Sequence, residues 1–459
     1  MKLTRRQLLQ NTALLAGGAL TGCAQLHGKP ASYLTGVIQP EKQNTVFYWM
    51  DAAMQSVRDQ AIVPPMAARC LSLGPAAGFL AANAILGSYQ SHIDVGPAPA
   101  GADPEIAYGV AFSYAAAEAF QQPFVFDRLR FLRRFPDSEA KTQAVEWGKQ
   151  VGKYIVRMRT NDGGEPSKAN YYLGRYERRQ DALRWRPTGP FYNSHSPGPA
   201  FETFSRGLLP GYGQMKPWTM TSHSQFRAPE FLDPASPEFA EQYHRVKTIG
   251  ASNSQTRTAD ETEIAVFWED GPWGITPPGH FILISMQILQ HQNLSFIECA
   301  RDFALISMVQ CDAAISAWDS KYHHDVIRPE TAIRSGADKF GNPDSRVETD
   351  SNWTSLIPTP GFPAYTSGHS CFGAAGTHLT ALIHGTDKVS FSGESPDLVL
   401  WPQLRGVRRH WHSLSQASDE NGLSRIYGGV HWDVDNDQGI KAGKAIAQQA
   451  FENIFPRKV

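Results

Sequence analysis

Residues 293–320 read NLSFIECARDFALISMVQCDAAISAWDS. The stretch is helix-length and strongly apolar, so it reads as a core helix. The segment TPPGHFILISMQILQH at 276–291 has the same character. Period-two alternation, the signature of half-buried strands, is scarce along the chain. These features predict an all-α protein of two packed helical bundles.

Working outward, residues 45–160 read as helices. ADPEIAYGVAFSYAAAEAF is alanine-rich, and DSEAKTQAVEWGKQVGKYIVRM has an acidic start with a stripe at Val145, Gly148, Gly152 and Ile155. Residues 161–235 differ: RWRPTGPFYNSHSPGPAF and LLPGYGQMKPWTMTSHSQFRAP interleave Gly and Pro with aromatics. That pattern predicts long irregular but ordered backbone, covering a site or joining two halves. Helical patterning resumes at SPEFAEQYHRVKTIG, and Thr258 with Glu261 makes a capping box. There is no internal repeat. The predicted divisions are an export signal at 1–23, an N-terminal helical region at 24–160, the loop region at 161–235 and a helical domain at 236–459.

The chain has 459 residues, a formal net charge of −1, 19% charged residues and 11% aromatics. Such a length suits one large or two ordinary domains. The composition is that of a globular chain. No global basic field exists to attract nucleic acid.

The N-terminus reads MKLTRRQLLQNTALLAGGALTGCAQ. A basic start leads into an apolar run shorter than the ~20 residues needed to span a bilayer, which predicts an export signal. Arg5-Arg6 resembles a twin-arginine signal and Leu20–Cys23 a lipobox, which would make Cys23 a lipidated, membrane-tethering residue. The expected location is periplasmic or outer-surface. No later run reads as long and apolar enough to span a membrane. Cys70, Cys299, Cys311 and Cys371 form neither a CxxC pair nor a zinc spacing. Export permits disulfides, but buried free thiols fit equally, above all for Cys299 and Cys311 in their apolar helical pattern.

Three short segments concentrate unusual residues. KYHHDVIRPETAIR, at 321–334, holds Lys321 and Arg328 seven positions apart, about two helical turns, with Pro329 behind them. The pair is expected at the rim of a cavity, where a helix ends. TPGFPAYTSGHSCFGAAG, at 359–376, holds Ser367, Gly368 and His369, a hydroxyl and an amide suited to an anion cradle at a helix start. LSRIYGGVHWDVDND, at 423–437, holds Arg425, His431 and, one turn beyond it, Asp435, which would orient the imidazole. Three cations, neutral donors and two histidines suit a tetrahedral oxyanion. Burying three unpaired cations is costly, so an anionic ligand is expected among them. A histidine would bond its central atom, as a metal ligand or as a nucleophile on phosphorus. Other conspicuous residues read as ordinary: His323 and His324 as surface or rim, RRHWH at 408–412 as a solvated loop, His378 and His384 as helix residues, Asp433 and Asp437 as exposed.

The ordered set Lys321, Arg328-Pro329, Ser367-Gly368-His369, Ser424-Arg425, His431 and Asp435 resembles the signature shared by vanadium-dependent haloperoxidases and type 2 phosphatidic acid phosphatases. Thr366 stands where that signature usually has proline. Trp318 and Phe362 resemble the aromatics flanking the halide side of fungal-type chloroperoxidases. EIAVFWEDGPWGITPP, at 263–278, resembles the segment whose aspartate pairs with the third-segment arginine, which would make Asp270 the partner of Arg425. The resemblance covers roughly residues 260–440 and is weak before 200.

That resemblance implies a vanadate cofactor bound axially by His431, the metal ligand. Lys321, Arg328, Arg425, Ser367 and the Gly368 amide would neutralise its oxygens. His369 would act as acid–base, and Lys321 would polarise bound peroxide. Trp318 and Phe362 would line the halide pocket. Hydrogen peroxide, bromide or chloride and a small organic acceptor would be the partners, and hypohalous acid the product. The alternative on the same residues is a periplasmic acid phosphatase using a phosphohistidine at His431, with His369 protonating the leaving group. A third reading is a binding protein that keeps the cradle without turnover.

Overall fold

The computed structural model describes residues 44–164, 176–177, 179, 181–186, 207–271 and 273–458. The export signal with Cys23, and residues 165–175 and 187–206 of the loop region, lie outside these. The regular structure of the described chain is helical apart from one small hairpin. The first helices are α1 (Thr45–Asp59), α2 (Pro64–Leu86), α3 (Pro104–Ala119), α4 (Val125–Leu132) and α5 (Glu139–Met158). Asn44, Asp103 and Ser138 cap α1, α3 and α5 by accepting from first-turn amides. Gly148, Gly152 and Ile155 of the predicted stripe are buried, and Val145 is half-buried.

One sequence expectation is overturned here. By length and composition α2 could cross a membrane, yet 83% of its most apolar window is buried inside the protein. It packs between α3 and the long helix α9 (Phe296–His324) and is a core helix.

Within the loop region, residues 207–235 have only a single 3-10 turn, at Tyr212–Gln214. Then come α6 (Pro237–Ile249), α7 (Ala259–Phe267) and α8 (Thr276–Leu289). The Thr258–Glu261 capping box forms as read. Beyond α9 lie α10 (Pro329–Ser335), α11 (Gly368–His384), α12 (Leu414–Tyr427) and α13 (Asp433–Asn453). Strands β1 (Phe391–Glu394) and β2 (Arg408–Trp411) pair antiparallel, Phe391 opposite Trp411. RRHWH is therefore a strand and not a solvated loop. Trp411 is buried, and Arg409 bridges Glu420, Glu263 and Asp260.

One apolar core runs through both halves of the chain, from Trp49 and Phe112 to Phe303, Phe372 and Ile446. A second cluster gathers Tyr243, Val326, Tyr365 and Trp432 beneath the α9–α10 link. In the C-terminal bundle α11 is central, against α9, α12 and α13. A Cβ at Gly439 would stand 2.7 Å from the Ser367 carbonyl oxygen, and one at Gly443 2.4 Å from that of Cys371. Only hydrogen there lets α13 lie this close to α11. Cys70, Cys299, Cys311 and Cys371 are buried free thiols.

Candidate active site

The site forms where four chain segments meet: the end of α9 with its link to α10, the first turn of α11, the α12–α13 junction and residues 268–270 after α7. Helix α9 stops at His324, and Asp325 closes it in the left-handed region with φ 57°. Arg328, extended, precedes Pro329 at the start of α10. Lys321 and Arg328 are thus not on one helix face, and they do not sit at a rim: both are fully buried. His324, read as surface or rim, is also buried, its Nε2 2.9 Å from the Ala228 carbonyl; His323 is exposed.

Lys321 Nζ donates to the carbonyls of Pro363 (3.0 Å), Ala364 (2.9 Å) and Thr366. All three ammonium donors are taken. The lysine pins the 363–366 loop and offers the cavity its charge. Arg328 donates through Nε to Phe362 O (2.8 Å) and through Nη1 to Val430 O (2.8 Å), and Nη1 stands 3.0 Å from His431 Nε2. Its Nη2 has no partner. Among the described residues Arg425 donates to Trp268 O, at 3.4 Å, and its Nε has no partner.

His431 Nδ1 lies 2.7 Å from Asp435 Oδ2, which also accepts from the Trp432 amide at 3.1 Å. A guanidinium can only donate, so His431 Nε2 is the acceptor and its proton sits on Nδ1, toward Asp435. Burial, reinforced by Arg328 and Lys321, holds the imidazole well below its usual range, so it is neutral. Burial also pushes Asp435 up to about 7 against the pull of Lys321.

Ser367 caps α11 and accepts from the Ser370 amide, and Gly368 opens the helix. The positive end of a 17-residue helix therefore points into the cation cluster. His369, half-buried, has Nε2 3.1 Å from Glu269 O, which leaves Nδ1 unengaged. Burial and Arg425 hold it well below the usual imidazole range. Burial draws Arg328 down to about 9 and Arg425 to about 10.

Trp318 and Phe362 come together, ring centroids 5.0 Å apart. Phe362 covers both cations, 5.1 Å from Lys321 Nζ and 4.9 Å from the Arg328 guanidinium carbon. Trp318 is anchored by its indole N–H to Leu208 O at 3.1 Å.

Asp270 is not the ion-pair partner of Arg425. Both its oxygens face His280 Nδ1, at 3.1 and 3.0 Å. Glu269 is the stronger electrostatic neighbour of Arg425. Sequence reasoning missed Glu269, although it adjoins Asp270. Burial, and Asp397 next, push Glu269 up to about 7. One carboxylate oxygen on each of Glu269 and Asp397 has no hydrogen-bond partner. Nothing in the sequence marks Asp397. Asp433, read as exposed, is half-buried and bridged to Arg245; Asp437 is exposed.

Among the described residues, no carboxylate forms a salt bridge with Lys321, Arg328 or Arg425. Two orphaned guanidinium donors and a neutral imidazole acceptor converge at a helix N-terminus, and an oxyanion with an electrophilic centre fits this donor set. Residues 301–456 match the family described as the VCPO second helical-bundle domain. The chain superimposes on the crystal structure of the first bacterial vanadium-dependent iodoperoxidase with a TM-score of 0.70 at 23% identity, covering 94% of this chain and 99% of that one. The fold is that of the vanadium haloperoxidases. A holo-type bacterial vanadium-dependent chloroperoxidase superimposes with a TM-score of 0.62 at 18% identity, over 85% and 93% of the two chains. The vanadium chloroperoxidase of Curvularia inaequalis is 28% identical over 236 residues, 40% of this chain and 38% of that protein. The match thus spans under two fifths of that relative's length.

Proposed function

We propose that this chain is a vanadate-dependent haloperoxidase that uses hydrogen peroxide to oxidise a halide, bromide or chloride, to hypohalous acid. The observation that carries the reading is the cluster of three buried cations without a carboxylate salt bridge, facing the His431 Nε2 lone pair. Arg328 and Arg425 would hold vanadate oxygens through Nη2 and Nε, with the α11 amide end and Ser367 beside them. His431 would bind the metal through Nε2. Bound vanadate would supply activation of peroxide toward the halide.

The chain's own residues then do three things. Asp435 keeps the His431 proton on Nδ1 and so leaves Nε2 unprotonated, its lone pair held by Arg328 Nη1 until a ligand displaces that bond. Lys321 holds the 363–366 loop and adds positive potential without contributing a free donor. His369, its Nε2 proton held by Glu269 O, can take or return a proton only at Nδ1, and burial with the nearby cations keeps it unprotonated. Trp318 and Phe362 exclude water from the Lys321 side and would line the halide pocket. Export and acyl attachment at Cys23 belong to the same proposal, on the strength of the Arg5-Arg6 and Leu20–Cys23 motifs.

The test is a paired assay on purified protein. Bromination of a phenolic dye by peroxide and bromide, dependent on added orthovanadate, is the expected result. Hydrolysis of a chromogenic phosphate ester by vanadate-free protein, without any bromination, would instead assign the cradle to phosphoryl transfer at His431.

A further inference from the structure

Helix α4 has a face on which Phe126, Leu129 and Val125 stand exposed. In FVFDRLRFLRRF, residues 124–135, Phe131 is fully buried against Tyr48 and Trp49, at centroid distances of 6.2 and 5.5 Å. On the opposite side Phe126 is 81% exposed, Leu129 48% and Val125 39%. Helical spacing interleaves Arg130 and Arg133 with Phe126 and Leu129 on that face, and both arginines are exposed. Arg128 is engaged elsewhere, by Ser113 Oγ at 3.3 Å and over the Tyr114 ring at 4.4 Å. The stretch carries four arginines against one aspartate in a chain whose net charge is −1. A phenylalanine and a leucine standing in water beside arginines suit an anionic lipid surface, into which the rings sink while the guanidinium groups meet headgroups. A second copy of the same face would bring arginine against arginine, which the charge opposes.

α4 is held on the fold from its inner side, where Tyr48 Oη donates to Asp127 O at 3.1 Å. We propose that α4 docks the protein on anionic lipid through Phe126, Leu129, Arg130 and Arg133, orienting it on the membrane to which Cys23 would tether it. The inference holds whichever anion the buried cradle binds.

The test uses the full chain carrying Cys23→Ser, so no acyl group contributes. The remaining four cysteines are buried, so Phe126→Cys takes an environment-sensitive nitrobenzoxadiazole label selectively. Label emission should be that of an aqueous fluorophore in buffer. It should shift to the blue on vesicles containing phosphatidylglycerol and stay unchanged on pure phosphatidylcholine. Adding Arg130→Gln and Arg133→Gln should weaken vesicle binding roughly ten-fold or more. An unshifted label on anionic vesicles overturns the proposal. So does a blue-shifted label in buffer, which would mean that residues 24–43 or a second copy cover the face. Equal binding to both vesicle types, unaffected by the arginine changes, removes the anionic specificity and overturns it too.

Discussion

His431 Nδ1 and Asp435 Oδ2 are 2.7 Å apart, one turn from each other at the start of α13 and both buried. The contact decides which imidazole nitrogen faces Arg328 and the anion cavity. Asp435→Ala should lower vanadate affinity roughly 10–100-fold, the usual cost of losing a carboxylate behind a metal-bound histidine. Asp435→Asn, whose amide oxygen can still accept a hydrogen bond from Nδ1–H, should recover part of it. Equilibrium dialysis against orthovanadate measures both, and equal affinity in Asp435→Ala and the unaltered protein would remove Asp435 from this role.

Gly439 and Gly443 lie one turn apart on α13 but face different parts of α11. A methyl group at Gly439 meets the Ser367 carbonyl and at Gly443 that of Cys371, deeper in the helix. Both alanine variants should lose about 1–3 kcal/mol of stability through overpacking. Only Gly439→Ala should also weaken vanadate binding, because it displaces the α11 cap that borders the cavity. Denaturant titration with dialysis separates the two effects. Undiminished vanadate binding in Gly439→Ala would show that the cap tolerates the shift.

Glu269 supplies a pH dependence whose sign follows from its burial. Its carboxyl is pushed up to about 7 in the folded protein, against an ordinary 4.5. Between these values the unfolded chain releases a proton that the folded chain keeps. The stabilising contribution is therefore complete below about 4.5 and is lost as pH rises through about 7. Vanadate-free protein should lose stability relative to Glu269→Gln over that window, by up to roughly 3 kcal/mol. Parallel stability curves for the two proteins from pH 4.5 to 8 would contradict the assigned burial cost.

The cation set was legible in the sequence because charge and spacing are local properties. Lys321, Arg328, Arg425, His431 and the Ser367-Gly368-His369 turn each stand in a short motif, and the fold brings the three motifs together. What escaped the sequence depends on distant segments meeting. Asp270 finds His280 ten residues later because α8 turns back on it, a contact no spacing rule specifies. Asp397 reaches Glu269 from the loop between β1 and β2, whose four-residue strands are too short to show alternation. The position of the cations was also misjudged: Pro329 limits the helix, but the left-handed cap at Asp325 ends it earlier and turns Arg328 inward.

The uncompensated charge has a direct thermodynamic consequence. Arg328 Nη2 and Arg425 Nε are buried donors without partners, in a cavity that holds Lys321 as well. An oxyanion that satisfies them binds the folded state and has no comparable site in the unfolded chain. Orthovanadate at about a hundred times its dissociation constant should therefore stabilise the protein by about 2.7 kcal/mol. Phosphate, nearly the same size, should do so at higher concentration. Arg425→Gln relieves repulsion with Arg328 and Lys321 but also removes the attraction of Glu269, and it should abolish most of the vanadate-induced rise in melting temperature. Differential scanning calorimetry reads both quantities. A full vanadate shift in Arg425→Gln would mean that the orphaned guanidinium donor does not meet the anion, and the binding would then rest on Arg328, His431 and the α11 amides alone.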